Sequence, residues 1–183
     1  GLLTELGIVP EGIFNVSRDQ WDTGNQMGVA EADYLETLAW MRDEARAELG
    51  ADDLDIPVDK EGADFLYAIN PREIKFDPRS IGQAAKIFHL AGESWTMPRW
   101  GWDNTNFGLF SGDDALGAFI ASNVYEAAVR LKAKRIVISE CGHGFRSTRW
   151  EGYGWAGRDQ DVPSESVVVA LLRWLDEGRF RVD

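Results

Sequence analysis

The sequence is poor in cysteine, in basic charge and in long apolar runs. Cys141 is the single cysteine of 183 residues, which excludes an internal disulfide. It equally excludes an iron–sulfur or zinc site built only from this chain's thiolates. Lys and Arg number 19 against 31 Asp and Glu, for a net charge of −12. Nucleic-acid binders carry a basic patch, and this balance argues against one. No apolar run approaches the roughly 18 residues that read as a membrane helix. No basic segment followed by an apolar stretch marks a secretion signal. The chain opens Gly-Leu-Leu without an initiator Met, so it reads as a fragment.

What is present argues for a folded domain. Hydrophobic residues make up 44% and aromatics 11%, with eight Trp, which is not the composition of a disordered chain. The length allows one domain, or one domain plus an arm, with a real core. Residues 1–28 carry Gly7, Pro10, Gly12, Gly24 and Gly28 without sustained periodicity and read as turns. Their many apolar residues predict an arm that packs on the domain or on whatever preceded it. Residues 29–183 read as a single domain.

Within it, Tyr34, Leu38, Met41, Ala45 and Leu49 form one stripe of a helix over 30–49, ended by Gly50. Residues 64–69 are a short apolar run fit for a buried strand, broken by Asn70-Pro71. A helix over 80–91 follows, then a strand at 94–97 and a long loop. Ser111-Gly-Asp-Asp114 resembles a capping box ahead of a helix over 113–132. Residues 135–139 are a third strand, and 141–163 a Gly- and Trp-rich loop. Ser164 is placed to cap a last helix with Val167, Val168, Leu171, Leu172 and Leu175 inward. Alternating strand and helix predict an α/β fold: a mainly parallel sheet flanked by helices, in three Rossmann-like layers. Two degenerate strand-loop-helix repeats are visible, at about 63–112 and 113–183.

In such sheets ligands sit beyond the carboxyl ends of the strands. Residues 69–70, 97–106 and 140–143 therefore converge on one rim. There Cys141-Gly142-His143-Gly144 directly follows a strand. Backbone N–H groups at the start of a turn can lower a thiol's pKa, and His143 can hydrogen-bond it. The competing reading is a small buried Cys in a tight turn whose glycines are steric. A Cys141–His143 nucleophile pair lacks an obvious third orienting group, although Glu140 is adjacent. A mixed metal site would add Glu140 or Asp103 to Cys141 and His143. Gly142-His-Gly144 lacks a third glycine and an immediate helix, so it is no dinucleotide fingerprint. Arg146, Arg149 and Arg158 interleave with Phe145, Trp150, Tyr153 and Trp155, a positive, aromatic segment in an acidic chain. It reads as a partner-docking surface, an anion site, or a lid whose arginines pair with Glu151, Asp159 and Asp161.

Several phrases together carry a resemblance: Trp21-Asp-Thr-Gly-Asn25, Ala85-Lys-Ile-Phe-His89, Thr105-Asn-Phe-Gly-Leu-Phe-Ser-Gly112, Glu140-Cys-Gly-His143 and Trp150-Glu-Gly152. From about Trp21 onward the chain resembles the C-terminal cysteine-rich, CCG-type domain of heterodisulfide-reductase-like iron–sulfur oxidoreductases. The nearest branch is the subunit of the membrane complex linked to dissimilatory sulfite reduction. That family's pattern is a lone Cys after the first strand, then Cys-Cys-Gly, then Cys-x-x-Cys, together holding a noncubane cluster. Here Asn70 stands at the first position, Asn106-Phe107-Gly108 at the second and Cys141-Gly142-His143-Gly144 at the third. The spacings, 36 residues from Asn70 to Asn106 and 35 from Asn106 to Cys141, suit the pattern, while four of five thiolates are gone.

The resemblance implies a piece of an iron–sulfur oxidoreductase in an electron-transfer pathway acting on thiol, disulfide or carrier-protein substrates. Cys141, with His143 beside it, is its remaining reactive position. It implies no cluster in this chain and cubane clusters in an N-terminal segment that residues 1–28 would link. It also implies partner subunits of an electron-transfer complex, peripheral to the inner membrane on the cytoplasmic side, with no direct insertion into lipid. The competing expectation is an inactive scaffold that docks partners through the Arg146–Trp155 segment.

Overall fold

The computed structural model describes residues 5–139, 141–158 and 161–181. Four parallel strands form its sheet: β1 (Phe65–Ala68), β2 (Trp95–Thr96), β3 (Ile136–Ile138) and β4 (Ser164–Ser166), in the order β2-β1-β3-β4. Leu66, Tyr67 and Ala68 lie opposite Ile136, Val137 and Ile138, so the two apolar strands form the centre. Both are buried on both faces, as parallel strands covered by crossover helices must be.

The pleat sends alternate side chains to opposite layers. Phe65, Tyr67 and Val137 face one core, shared with α2 (Glu31–Leu49), α4 (Arg79–Leu90) and α9 (Val167–Asp176). Leu66, Ala68, Ile136 and Ile138 face the other, shared with α6 (Asp114–Arg130) and α8 (Gly152–Ala156). The first core is aromatic. The Phe88 ring meets Phe65, Tyr67, Trp95 and Trp174 edge-on at centroid distances of 5.0, 5.1, 5.0 and 5.6 Å. Each such pair adds roughly 0.5–1.5 kcal/mol to area burial. The three-layer α/β architecture read from the alternation of elements is therefore present.

Several local expectations are corrected. The arm is not a string of turns: Glu11–Thr23 form a helix, α1, closed by Gly24 in the left-handed conformation at φ 74°. It lies on the domain, with Trp21 stacked on Phe119 at 4.9 Å. Asp113, not Ser111, caps α6 by accepting from Leu116 N, because the Ser111 hydroxyl donates to Phe107 O and closes the short α5 (Gly108–Ser111). The stretch beyond Cys141 is no loop. It is α7 (Gly142–Arg146), a π turn (Ser147–Glu151) and α8 in continuous helical register, so a helix does follow Gly142 at once.

Ser164 does not cap the last helix. It opens β4, and Ser166 caps α9 by accepting from Val169 N. The buried stripe of α9 is Val167, Ala170 and Trp174, which leaves Val168 and Leu172 exposed. The Trp174 ring decides the face, since it is the largest side chain of α9 and its Nε1 donates to Glu93 within the first core.

Candidate functional site

The chain leaving β1 turns toward α4 on one face, and the chain leaving β3 turns toward α8 on the other. Where neighbouring parallel strands diverge like this, a crevice opens at their carboxyl ends. Asn70 stands on one lip and Cys141 on the other, two strands that pair residue by residue from Leu66 to Ala68.

Asn70 is fixed by a capping box on α3 (Pro71–Phe76). Its Oδ1 accepts from Arg72 N at 3.0 Å, and its own backbone N–H donates to Glu73 Oε1 at 3.0 Å. Pro71 fits the first helical turn, where no N–H is needed. Cys141 caps α7 in the same way, its sulfur accepting from Gly144 N at 3.4 Å. The Asn70 amide nitrogen reaches that sulfur at 3.8 Å, and His143 Nδ1 lies 3.4 Å from it. The His143 imidazole meets the Phe110 and Phe107 rings edge-on at 5.0 and 6.4 Å.

Opposing effects act on the thiol. Burial pushes Cys141 up, the Gly144 and Asn70 donors pull it down, and the Asp103 and Glu73 carboxylates push it up again; the net shift is upward. Burial lowers His143. The resting pair is therefore a neutral thiol beside a neutral imidazole; the turn's N–H groups do pull the thiol down, as they can, but burial outweighs them. A groove of about 190 Å3 opens beside the sulfur, lined by Ser139, Cys141, Gly142, Phe145, Ser166, Val167 and Val168.

Behind the pair lies a polar floor. Glu73 Oε1 also accepts from Ser139 Oγ at 2.6 Å, and burial raises its pKa. Asn104 donates to Ala68 O at 3.1 Å and to Ser139 Oγ at 3.4 Å, while its buried Oδ1 has no partner. Asp103 is fully buried and pairs with Ile69 as an extension of β1. Its oxygens accept from Thr105 N, Thr105 Oγ1, Gln20 Nε2 and Gln26 N, and burial nonetheless pushes it up to about 7.

The structure brings together Asn70, Cys141, His143 and Phe107. It does not bring Asn106 to the sulfur: that amide donates to Gly117 O at 2.9 Å and accepts from Gly108 N at 3.1 Å, as a turn residue does. Gly108 and Gly144 are there for close approach. A Cβ on Gly108 would lie 2.4 Å from Gly117 N, and one on Gly144 2.7 Å from Asn104 Oδ1. Gly142 has open space around it. Sequence reasoning missed Gln20, Gln26 and Glu73. Asn-x-x-Glu directly after a strand was a readable capping box; nothing in the sequence pairs Gln26 with Asn70.

The donor set does not fit the noncubane cluster. At its five positions stand one thiol, two amides, a phenyl ring and a glycine without a side chain, and the Asn106 amide is spent on backbone. Among the described residues no group of three or more His, Cys, Asp and Glu is placed to hold a metal. The Asp103 oxygens are taken by four donors, and Glu140 lies outside the described residues.

The aromatic, arginine-bearing segment is mostly folded down as a lid. Tyr153 is buried and donates to Val162 O at 2.7 Å, and the Trp155 ring covers Gly117. Arg146 pairs with Glu151 at 2.7 Å, and Arg158 with Asp161; Asp159 lies outside the described residues. Arg149 is half-buried, and Trp150, 67% exposed, projects outward. No helix of the described residues is long and apolar enough to cross a membrane. Comparison with protein-family models, curated proteins and solved structures gave no match.

Proposed function

We propose that this chain is the thiol-bearing part of an iron–sulfur oxidoreductase acting on disulfide or related sulfur substrates, with Cys141 as the working sulfur and His143 as its base. The observation that carries the reading is the 3.4 Å approach of His143 Nδ1 to Cys141 Sγ, at the divergence of β1 and β3 and beside an open groove. The resemblance of the flanking phrases supplies the reaction class.

A thiol of raised pKa is scarce as thiolate but a stronger nucleophile once deprotonated. A neutral imidazole at hydrogen-bond reach can take its proton as attack proceeds. Cys141 Sγ then bonds one sulfur of the substrate disulfide, the substrate S–S bond breaks, and the leaving thiolate takes the proton from His143. Two electrons and two protons return the mixed disulfide to Cys141 thiol and a second substrate thiol. Iron–sulfur centres held outside these residues, in an upstream segment or a partner subunit, would supply those electrons. Within the aromatic, arginine-bearing segment the exposed Trp150 is placed to meet such a partner, and the assembly sits at the cytoplasmic side of a membrane through protein contacts.

The test is disulfide exchange of Cys141 with a small aromatic disulfide, followed against pH in wild type and His143→Gln. The expected result is a rate above that set by the thiolate fraction, bending as His143 titrates and falling at least about tenfold in the variant. A rate that tracks thiolate alone, unchanged in His143→Gln, overturns the thiol role. The burial that raises Cys141 favours the competing reading, a docking scaffold with a structural cysteine, and that outcome would select it.

A further inference from the structure

We infer that Gln26, on the N-terminal arm, is a positioning residue for Cys141: by donating to the Asn70 amide oxygen it holds the amide nitrogen against the sulfur. The inference rests on the thiol role proposed above and names what controls it.

An amide side chain has two ends of nearly equal shape and opposite polarity. At Asn70 the choice is made by its neighbours. Oδ1 takes two N–H donors, Arg72 N at 3.0 Å and Gln26 Nε2 at 2.8 Å. A reversed amide would set its NH2 against both. The nitrogen is therefore left facing Cys141 Sγ, at 3.8 Å, where it favours negative charge on sulfur. Arg72 belongs to the same cap as Asn70. Gln26 is the contribution of a different element, 44 residues away in sequence.

Gln26 is itself held in register. Its backbone N–H donates to Asp103 Oδ2 at 2.9 Å, and its residue is buried. Gly24 ends α1, and Asn25 closes the following turn by accepting from Met27 N and Val29 N at 3.2 and 2.8 Å. One turn earlier, Gln20 donates to Asp103 Oδ2 and Thr105 O and accepts from Phe107 N. The arm is thus pinned to the rim through Asp103 and Phe107 while Gln26 reaches past them to Asn70. A displacement of the arm removes a donor from the sulfur without touching Cys141. Whatever protein precedes or covers the arm has a route to the thiol.

The charged and titratable groups around the sulfur are Glu73 on α3, Asp103 on the segment after β2, and His143 on α7. All remain in the variants that test the route. The 183-residue chain is alkylated with iodoacetamide from about pH 6 to about pH 10, as wild type, Gln26→Ala, Asn70→Ala and the double variant, with near-ultraviolet circular dichroism as a check of the fold. Each single variant is expected to slow alkylation near neutral pH by about 3–10-fold and to raise the midpoint of the profile accordingly. The double variant should be no slower than Asn70→Ala, because Gln26 acts through Asn70. Gln26→Glu keeps the volume but sets oxygen against the Asn70 oxygen and adds a negative charge, so it should give the largest shift of all, while the neutral variants carry the test. A Gln26→Ala profile that overlays wild type while Asn70→Ala shifts overturns the inference. So does simple additivity of the two variants. Failure of the thiol role shows elsewhere, as disulfide exchange indifferent to His143→Gln, and leaves this coupling intact.

Discussion

Gly144→Ala sets two effects of opposite sign against each other. Gly144 lies inside α7, where replacing Gly by Ala ordinarily stabilises by up to about 1 kcal/mol. Here the new methyl would lie 2.7 Å from Asn104 Oδ1, 2.9 Å from Asn104 O and 3.1 Å from Asn104 Cγ. Asn104 cannot step aside cheaply. It is 1% exposed, its N–H donates to Ile69 O at 3.0 Å, and its amide donates to Ala68 O at 3.1 Å. Overpacking of this kind costs roughly 1–3 kcal/mol. Packing therefore outweighs propensity, for a net loss of about 1–2 kcal/mol and a Tm lower by about 2–8 °C at this chain length. The shift also carries Gly144 N away from Cys141 Sγ, now 3.4 Å apart, so the thiol should titrate higher as well. Gly154→Ala is the control. It lies on α8 with nothing within 4 Å of a Cβ, and should raise Tm by about 1–4 °C. Differential scanning calorimetry of the two variants decides the matter. A Gly144→Ala protein more stable than wild type would refute the close packing of α7 on the Asn104 segment.

Asp103 carries a pH prediction. Burial pushes it up to about 7, above an unfolded value of about 3.9. The folded state then holds the proton more tightly, so this group's stabilisation is complete below about pH 4 and is lost as pH rises through about 7. Urea midpoints of wild type minus Asp103→Asn should fall across that window; a difference that rises would mean that the four donors outweigh burial. Tyr153→Phe leaves Val162 O without its 2.7 Å donor and should cost about 1–2 kcal/mol, read as a Tm lower by about 2–8 °C. Trp150→Ala, at a site 67% exposed, should change stability by no more than about 0.5 kcal/mol in urea unfolding.

The layers and the rim were legible because the signals behind them are local. β1 and β3 announce themselves as short apolar runs, α2, α4 and α6 by their stripes, and Asn70 and Cys141 by standing directly after strands. Three things were not legible. The helix of the arm has an apolar face broken by Gln20, whose side chain is buried only because Asp103 and Phe107 N meet it from about 80 residues away. The segment after Cys141 carries Gly142, Gly144, Gly152 and Gly154, which read as breakers, yet two of those glycines sit inside the helical run because a side chain would collide with neighbouring atoms. A Cβ at Gly152 would lie 2.7 Å from Ser147 O, and Gly144 sits against Asn104. The face of α9 is set by Trp174 meeting Glu93 and Phe88, a choice made by tertiary contacts over a stripe of smaller residues.

The state of the thiol follows from the same distinction between local and distant groups. Cys141 and Gly144 are sequence neighbours, and taken alone that turn lowers a thiol's pKa. The groups that reverse the shift come from elsewhere: the enclosing walls, Glu73 on α3 and Asp103 beyond β2. Asn70 opposes them, with its amide turned toward sulfur by Gln26. The balance at sulfur is thus set by four segments of chain, and only one of them contains the cysteine. A change in any of the other three alters the thiol without altering Cys141, His143 or the sheet. This places control of the Cys141 thiol in the arm and the rim segments, where Gln26, Asn70 and Asp103 are joined by hydrogen bonds at the edge of the first apolar core. Such contacts open at lower free energy than the core elements do. Hydrogen exchange should accordingly find the amides of Gln26 and Thr105 less protected than those of Tyr67 and Val137. Equal protection at all four would tie the arm to global unfolding and remove its independence as a lever on the thiol.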